Sequence, residues 1–366
     1  MKGKVNIALS FGNEEFYIEL TRKVTFLKGD SGIGKTVFFN ALKNYYLRSV
    51  DGISEDIKLS LSGCDRLILP SVVGKSWRDE IENNDNCVVV VDESDRQVLK
   101  SGDFGSVIKK SGNYFLIIYR KNIWLEEDDP DYEDDDGSIS HSTMAEITLE
   151  CKKSNGVFKN ISSNIYYNTI KNLKPDLVIT EDEESGYQFF KKTLNCDVIS
   201  SKSKSRVLGK LKGAVSSGVY KNIYLAVDGE NFGYELGEIF QYIDSNEFKK
   251  SGAVVNIADM RSFEYTLLKS ADIFEEDITD ILENTEKYCE AKIYNNWEKF
   301  YTSLIEKKRL TFLEQGKIRF HRMSMLDGMD YDKGFLSDNY LKEGVILRFY
   351  SELLGDIDME LVKTRR

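Results

Sequence analysis

The chain has 366 residues, more than one ordinary core uses, so two or three domains are expected. Hydrophobic residues make up 41% and charged residues 30%, the balance of a soluble globular protein, and a net charge of -11 excludes a nucleic-acid binder that uses its whole surface. A local basic face stays open. No apolar run reaches the roughly 18 to 20 residues that span a bilayer, and the first residues alternate apolar and polar like a strand, so a cytoplasmic protein without membrane contact is expected. The five cysteines (Cys64, Cys87, Cys151, Cys196, Cys289) are scattered without paired spacing and read as reduced thiols. Two histidines, His141 and His321, cannot build a histidine-rich metal centre, which leaves carboxylates, lysine and bound metal to carry any chemistry.

In chain order, strands are predicted at Val5 to Leu9, Phe16 to Leu20 and Val24 to Leu27, then a helix from Lys35 to about Arg48. A short helix near Trp77 to Ile81 precedes an unbroken apolar strand, Cys87 to Val91, and a further apolar strand covers Tyr114 to Tyr119. This is an α/β pattern. Residues 126–136 (EEDDPDYEDDD) form an acidic run that reads as a solvated loop. A calcium loop would need an acid five residues before Gly137, where Tyr132 stands. Alternation resumes from Met144 to Leu149, and a boundary is expected near Pro175.

A second α/β unit follows, with strands at Leu177 to Thr180, Val198 to Ile199, Ile223 to Val227 and Ala253 to Ala258. Helices at Tyr187 to Leu194, Arg206 to Val215 and Tyr234 to Ile243 separate them, which implies a parallel sheet. Beyond about Phe263 the chain reads as helical, and Ile293, Trp297, Phe300 and Leu304 recur at helical spacing as a core face. The domain reading is therefore 1–170, 171–262 and 263–366.

Gly29-Asp30-Ser31-Gly32-Ile33-Gly34-Lys35-Thr36 matches the phosphate-binding pattern G-x-x-x-x-G-K-T in its strand, loop, helix context. The glycines let backbone N–H groups close on phosphate, Lys35 neutralises the β and γ phosphates, and the Thr36 hydroxyl ligates Mg²⁺. ATP is the expected ligand. In Val88-Val89-Val90-Val91-Asp92-Glu93, Asp92 ends a strand where it can hold hydrated magnesium and Glu93 can deprotonate the attacking water. Arg120 is a candidate γ-phosphate sensor.

These residues resemble the ATP-binding-cassette type of P-loop ATPase over roughly residues 1–125. Leu61-Ser62-Gly63-Cys64 resembles the signature loop through which a second copy completes the site in that family, although Leu67 to Pro70 reads as strand where the family has a helix. No glutamine loop and no histidine after the last strand are apparent. A homo-oligomer or a protein partner stays open.

Leu177-Val178-Ile179-Thr180-Glu181 places a glutamate at a strand end, and Asp228-Gly229-Glu230 follows a later strand of the same predicted sheet. Parallel strands present their carboxyl ends on one edge, so Glu181, Asp228 and Glu230 can converge there, bind Mg²⁺ or Mn²⁺ and support phosphoryl transfer. This pattern resembles the Toprim domain, and with the phosphate loop it resembles the overcoming-lysogenisation-defect nucleases, which join an ATP-binding-cassette ATPase to a Toprim nuclease. The resemblance implies an ATPase controlling metal-dependent DNA cleavage, in defence against phage or mobile DNA. It departs at Glu230, where aspartate is usual. The alternative is an ATP-driven switch whose second domain binds a partner without catalysis. From Val198 to Val227 the chain carries Lys202, Lys204, Arg206, Lys210, Lys212 and Lys221 with no acid, a candidate DNA-binding stretch.

Overall fold

The computed structural model describes residues 1–12, 14–27, 34–51, 57–72, 76–99, 101–118, 157–158, 174–183, 185–227, 233–257, 261–270, 277–314 and 343–354. It is a mixed α/β protein that divides into two compact units. Unit 1 comprises residues 1–164 and 284–297, and unit 2 comprises 165–283 and 298–366. The predicted acidic loop, Met144 to Leu149, Arg120, both histidines and Cys151 lie outside the described residues. None of the four described cysteines is in a disulfide, and among the described residues no helix is long and apolar enough to cross a membrane.

In unit 1, β1 (Val5–Phe11) and β2 (Glu14–Leu20) form an antiparallel hairpin, flanked by β4 (Ile57–Ser62) on β1 and β8 (Val157–Phe158) on β2. Their alternation works as written: Val5, Ile7, Leu9, Phe16, Ile18 and Leu20 are buried. A second sheet, wholly parallel, has the order β3 (Val24–Leu27), β7 (Tyr114–Ile118), β6 (Cys87–Asp92), β5 (Arg66–Ile68). The continuous apolar strands serve two faces at once. Val88, Val90, Tyr114 and Leu116 join a core shared with the antiparallel sheet and with α1 (Lys35–Asp51) through Phe38, Phe39 and Leu42. Val89, Val91, Phe115 and Ile117 join a second core under α2 (Trp77–Glu82), α3 (Arg96–Leu99) and α4 (Phe104–Lys110). Burial on both faces is why these strands show no alternation.

The signature-loop resemblance at 61–64 is not matched by the local structure. Leu61 and Ser62 are the last ladder residues of β4, opposite Ile7 and Asn6, and the chain passes through Gly63 into strand β5 rather than a helix. Gly63 sits at φ +80°, where a Cβ would come within 2.1 Å of the Lys4 carbonyl oxygen, so this turn admits only glycine.

Unit 2 is built on a parallel sheet of order β10 (Asp197–Ser200), β9 (Leu177–Thr180), β11 (Asn222–Ala226), β12 (Val254–Ile257). One face packs on α6 (Val207–Ser217), α7 (Gly233–Asp244) and α8 (Asn246–Ser251) through Leu211, Ile239, Tyr242 and Phe248. An aromatic cluster joins α5 (Ser185–Thr193), α9 (Phe263–Ser270) and α12 (Glu343–Leu354). Phe189 lies 4.5 Å from Phe349 and 5.5 Å from Phe263 between ring centroids, and Tyr350 hydrogen-bonds Thr193. Each such fully buried aromatic contributes about 1.5 to 3 kcal/mol, which anchors the carboxyl-terminal helix in this unit. Short α10 (Thr279–Glu283) and long α11 (Trp297–Glu314) complete the helices.

The helical spacing read from Ile293 is corrected here. Turns occupy the residues before Trp297, Ile293 donates its N–H to Glu290 and is 70% exposed, and the apolar stripe starts at Trp297 with Phe300.

Candidate functional site

The predicted phosphate-loop residues Gly29 to Ile33, with Lys28 before them, lie outside the described residues, and Leu27 and Gly34 are the described residues on either side. β3 ends at Leu27, and the chain returns at Gly34, whose φ of +100° is a backbone state that favours glycine. The Gly34 carbonyl accepts the Phe38 N–H at 2.9 Å, which starts α1. Lys35 is only 4% exposed in the first turn, and Thr36 is exposed beside it. A helix start carries positive backbone charge, so the buried ammonium and the helix dipole act at the same place with the same sign.

Register fixes where Asp92 stands. Leu27 pairs with Ile118, and Ile118 pairs with Asp92, so the three residues are level across β3, β7 and β6 at the carboxyl edge. Two strand spacings, about 10 Å, separate the end of β3 from Asp92. A tight turn orients the carboxylate: the Ser94 N–H and hydroxyl both donate to Asp92 Oδ1, at 3.1 and 2.7 Å. Asp92 in turn donates its N–H to Asp95 Oδ2 at 3.0 Å. Glu93 is half-buried at the crest of this turn. Asp95 is buried, and loss of solvent pushes its carboxyl pKa up, opposed by the Asp92 N–H and by Ser71. Ser94 and Asp95 are supporting residues that the strand pattern alone does not single out; the visible signal is the D-E-S-D sequence, with short polar side chains suited to a turn. Thr36 and Asp92 offer one hydroxyl and one carboxylate, oxygen donors of the kind a divalent cation takes.

The second candidate set is described in part. Glu181 follows β9 and is half-buried, while Asp228 and Glu230 lie outside the described residues. β9 is central, with Thr180 opposite Ser200 of β10 on one side and Ala226 of β11 on the other. The sheet order reverses between β9 and β11. The carboxyl ends at such a switch point open a crevice, and Glu181 and Asp228 follow the two strands that flank it. Asp182 does a different job from Glu181: its carboxylate accepts the Gly186 and Tyr187 N–H groups at 3.1 and 3.2 Å and caps α5. Among the described residues, no three acidic, cysteine or histidine side chains are grouped so as to hold a metal.

The basic stretch is divided by the fold. Lys202, Lys204 and Arg206 follow β10 at the carboxyl edge, where buried Ser201 donates to the Glu181 carbonyl at 2.9 Å. Lys202 adopts φ +70° and pairs with exposed Glu183 at 2.8 Å. Lys210 and Lys212 lie along α6, and Lys212 is 5.3 Å from the Tyr242 ring centroid. Lys221 precedes β11 at the opposite edge, donating to the Ser251 carbonyl. The residues of the stretch that follow β10 at the edge where Glu181 follows β9 are therefore Lys202, Lys204 and Arg206.

No family model, no curated protein and no solved structure matches this chain.

Proposed function

We propose that this chain is a P-loop ATPase that binds ATP and Mg²⁺ at Gly29 to Thr36 and controls a Toprim-like, metal-dependent DNA nuclease centre on Glu181, Asp228 and Glu230. The observation that carries the ATPase reading is the level placement of Leu27 and Asp92 on one sheet edge, beside a buried Lys35 that opens α1. Lys35 would bind the β and γ phosphates, and Thr36 and Asp92 would hold the magnesium that neutralises charge on them. Glu93 would take a proton from water as its oxygen attacks the γ phosphorus and the bond to the ADP oxygen breaks. The nuclease reading draws its support from Glu181 and the end of β11 flanking the switch point of a parallel sheet, with Lys202, Lys204 and Arg206 on the same edge.

The test is an ATP titration by calorimetry with steady-state hydrolysis, followed by a DNA cleavage assay in Mg²⁺ and Mn²⁺. Wild type should bind and hydrolyse ATP, Lys35→Ala should lose binding, and Glu93→Gln should bind but not turn over. ATP affinity retained in Lys35→Ala defeats the phosphate-loop assignment. ATP turnover without any cleavage or metal binding favours the switch with a partner-binding second domain.

A further inference from the structure

In unit 2 the turn that follows β9 and the turn that follows β10 are fastened to each other around one hydroxyl. Ser201, the first residue after β10, is fully buried. Its Oγ lies 2.9 Å from the Thr180 carbonyl oxygen, 2.9 Å from that of Glu181 and 3.0 Å from that of Ser203. A serine hydroxyl has one proton to give. The Thr180 carbonyl already takes the Ser201 N–H at 2.9 Å, and the Ser203 carbonyl takes the Arg206 N–H at 3.1 Å. The hydroxyl proton is therefore available to Glu181.

The backbone around Glu181 is held on its other flank as well. Buried Thr180 donates its hydroxyl to the Asp182 carbonyl at 3.0 Å, and the Asp182 carboxylate caps α5. On the β10 side, Lys202 takes the left-handed state at φ +70°, which a lysine rarely adopts, with its N–H on Ser200 Oγ at 2.9 Å. A second tie joins the same two turns, the ion pair of Lys202 with Glu183 at 2.8 Å, but both side chains are more than half exposed. Exposed pairs hold little, whereas a buried hydroxyl taken from its acceptors leaves them desolvated and poorly satisfied. The hydroxyl is the stronger fastening.

We infer that Ser201 is a positioning residue for the proposed nuclease centre: it locks the backbone of Glu181 to the turn that carries Lys202, Lys204 and Arg206, so that carboxylate and cations meet one nucleic-acid strand in a fixed register. The inference rests on the nuclease reading above. Metal-assisted cleavage needs the phosphate held by the cations to lie against the metal held by the carboxylate. A misplacement of about 1 Å between the two costs on the order of a hundredfold in rate. Attraction for DNA is less exacting, because it follows the number of charges rather than their register. Loss of the Ser201 hydroxyl should therefore separate the two, leaving DNA bound but slowly cut.

Single-turnover cleavage of labelled DNA, offered single-stranded and as duplex to the full chain at saturating protein and Mn²⁺, makes the test, with DNA affinity measured in EDTA. Ser201→Ala should cleave about tenfold more slowly than wild type or worse. Its DNA dissociation constant should stay within about threefold, since every cation remains. Ser201→Thr, which keeps the hydroxyl, should recover most of the rate. A residue that only stabilised the fold would shift the urea midpoint and leave the rate of the folded protein alone. Thr180→Val, nearly isosteric but without the hydroxyl on Asp182, should slow cleavage in the same direction and serves if Ser201→Ala does not fold. Wild-type cleavage by folded Ser201→Ala, or by Thr180→Val where Ser201→Ala is unfolded, overturns the inference. So does a loss that folded Ser201→Thr does not recover. Absence of cleavage in wild type removes the nuclease reading and the inference together, an outcome distinct from wild-type cleavage that Ser201→Ala retains.

Discussion

The backbone N–H of Asp92 donates to the side chain of Asp95 at 3.0 Å, while Asp95 returns its own N–H to the Asp92 carbonyl at 2.8 Å. This reciprocal pair closes the turn that fixes Asp92 at the sheet edge and Glu93 one residue later. Asp95→Ala leaves the Asp92 N–H without its acceptor, at a cost of about 1 to 3 kcal/mol in stability. It should slow ATP turnover at least tenfold while the ATP dissociation constant stays within a few-fold, because positioning rather than phosphate charge is lost. Denaturant unfolding and steady-state hydrolysis check both parts; unaltered turnover would show that the turn does not position Glu93.

Glu264 gives unit 2 a pH dependence whose sign is set by the raised folded-state pKa. The carboxyl titrates at about 8 when folded against an ordinary 4.5, chiefly through burial and then through Glu298. Between those values the folded state keeps a proton that the unfolded state has released. Its stabilising contribution is complete below pH 4.5 and is lost as pH rises through 8. From pH 5 to pH 7 the loss should be on the order of a few kcal/mol. Lys23, depressed to about 8, is charged in both states through most of that interval and contributes little slope there. Urea midpoints followed by a unit 2 probe should fall across this range in wild type, and Glu264→Gln should flatten the trend. An equal slope in the variant would assign the pH dependence to other groups.

The division of the basic stretch separates residues that sequence alone treats alike. Neutralising Lys204 and Arg206 to Ala, with Lys202→Asn to suit its positive φ, should reduce the slope of log affinity for DNA against log salt by roughly two to three. Lys221→Ala, at the opposite edge, should leave that slope unchanged. Loss of slope in the Lys221 variant alone would move the DNA path to the other edge of the sheet.

Much of this fold is legible from periodicity. Val5 to Leu9 alternates because one face meets a core, and Cys87 to Val91 does not because both faces do. Asp92 and Glu181 are found because apolar strands end abruptly in acids. The placement of residues 284–297 in unit 1 is not legible: they carry neither period, and their position depends on partners such as Lys23, 272 residues from Asn295. The same tertiary cause hides the roles of Asp95 and Glu264, since a single carboxylate in a turn or helix carries no local sign of what surrounds it. Ile293 misled because a spacing of four residues to Trp297 implies a shared helix face only where a helix exists.

The parallel register carries the last prediction. Ala226 lies opposite Thr180, so β9 and β11 end level on the edge where Glu181 follows β9, and Asp228 is two residues after Ala226 in the sequence. In the proposed metal centre Glu181 and Asp228 would repel each other, and a divalent cation would relieve that repulsion while offering a Lewis acid to a phosphodiester. Asp228→Ala should therefore abolish DNA cleavage in Mg²⁺ or Mn²⁺ and lower metal affinity by at least tenfold. ATP hydrolysis should stay within about twofold of wild type, because Lys35, Asp92 and Glu93 belong to the other unit. Asp228→Asn, nearly isosteric but neutral, should behave like the alanine variant if charge is what matters. Wild-type cleavage in either variant would remove Asp228 from the metal centre, whereas loss of cleavage and ATP hydrolysis together in a folded protein would mean that the two activities do not separate as proposed.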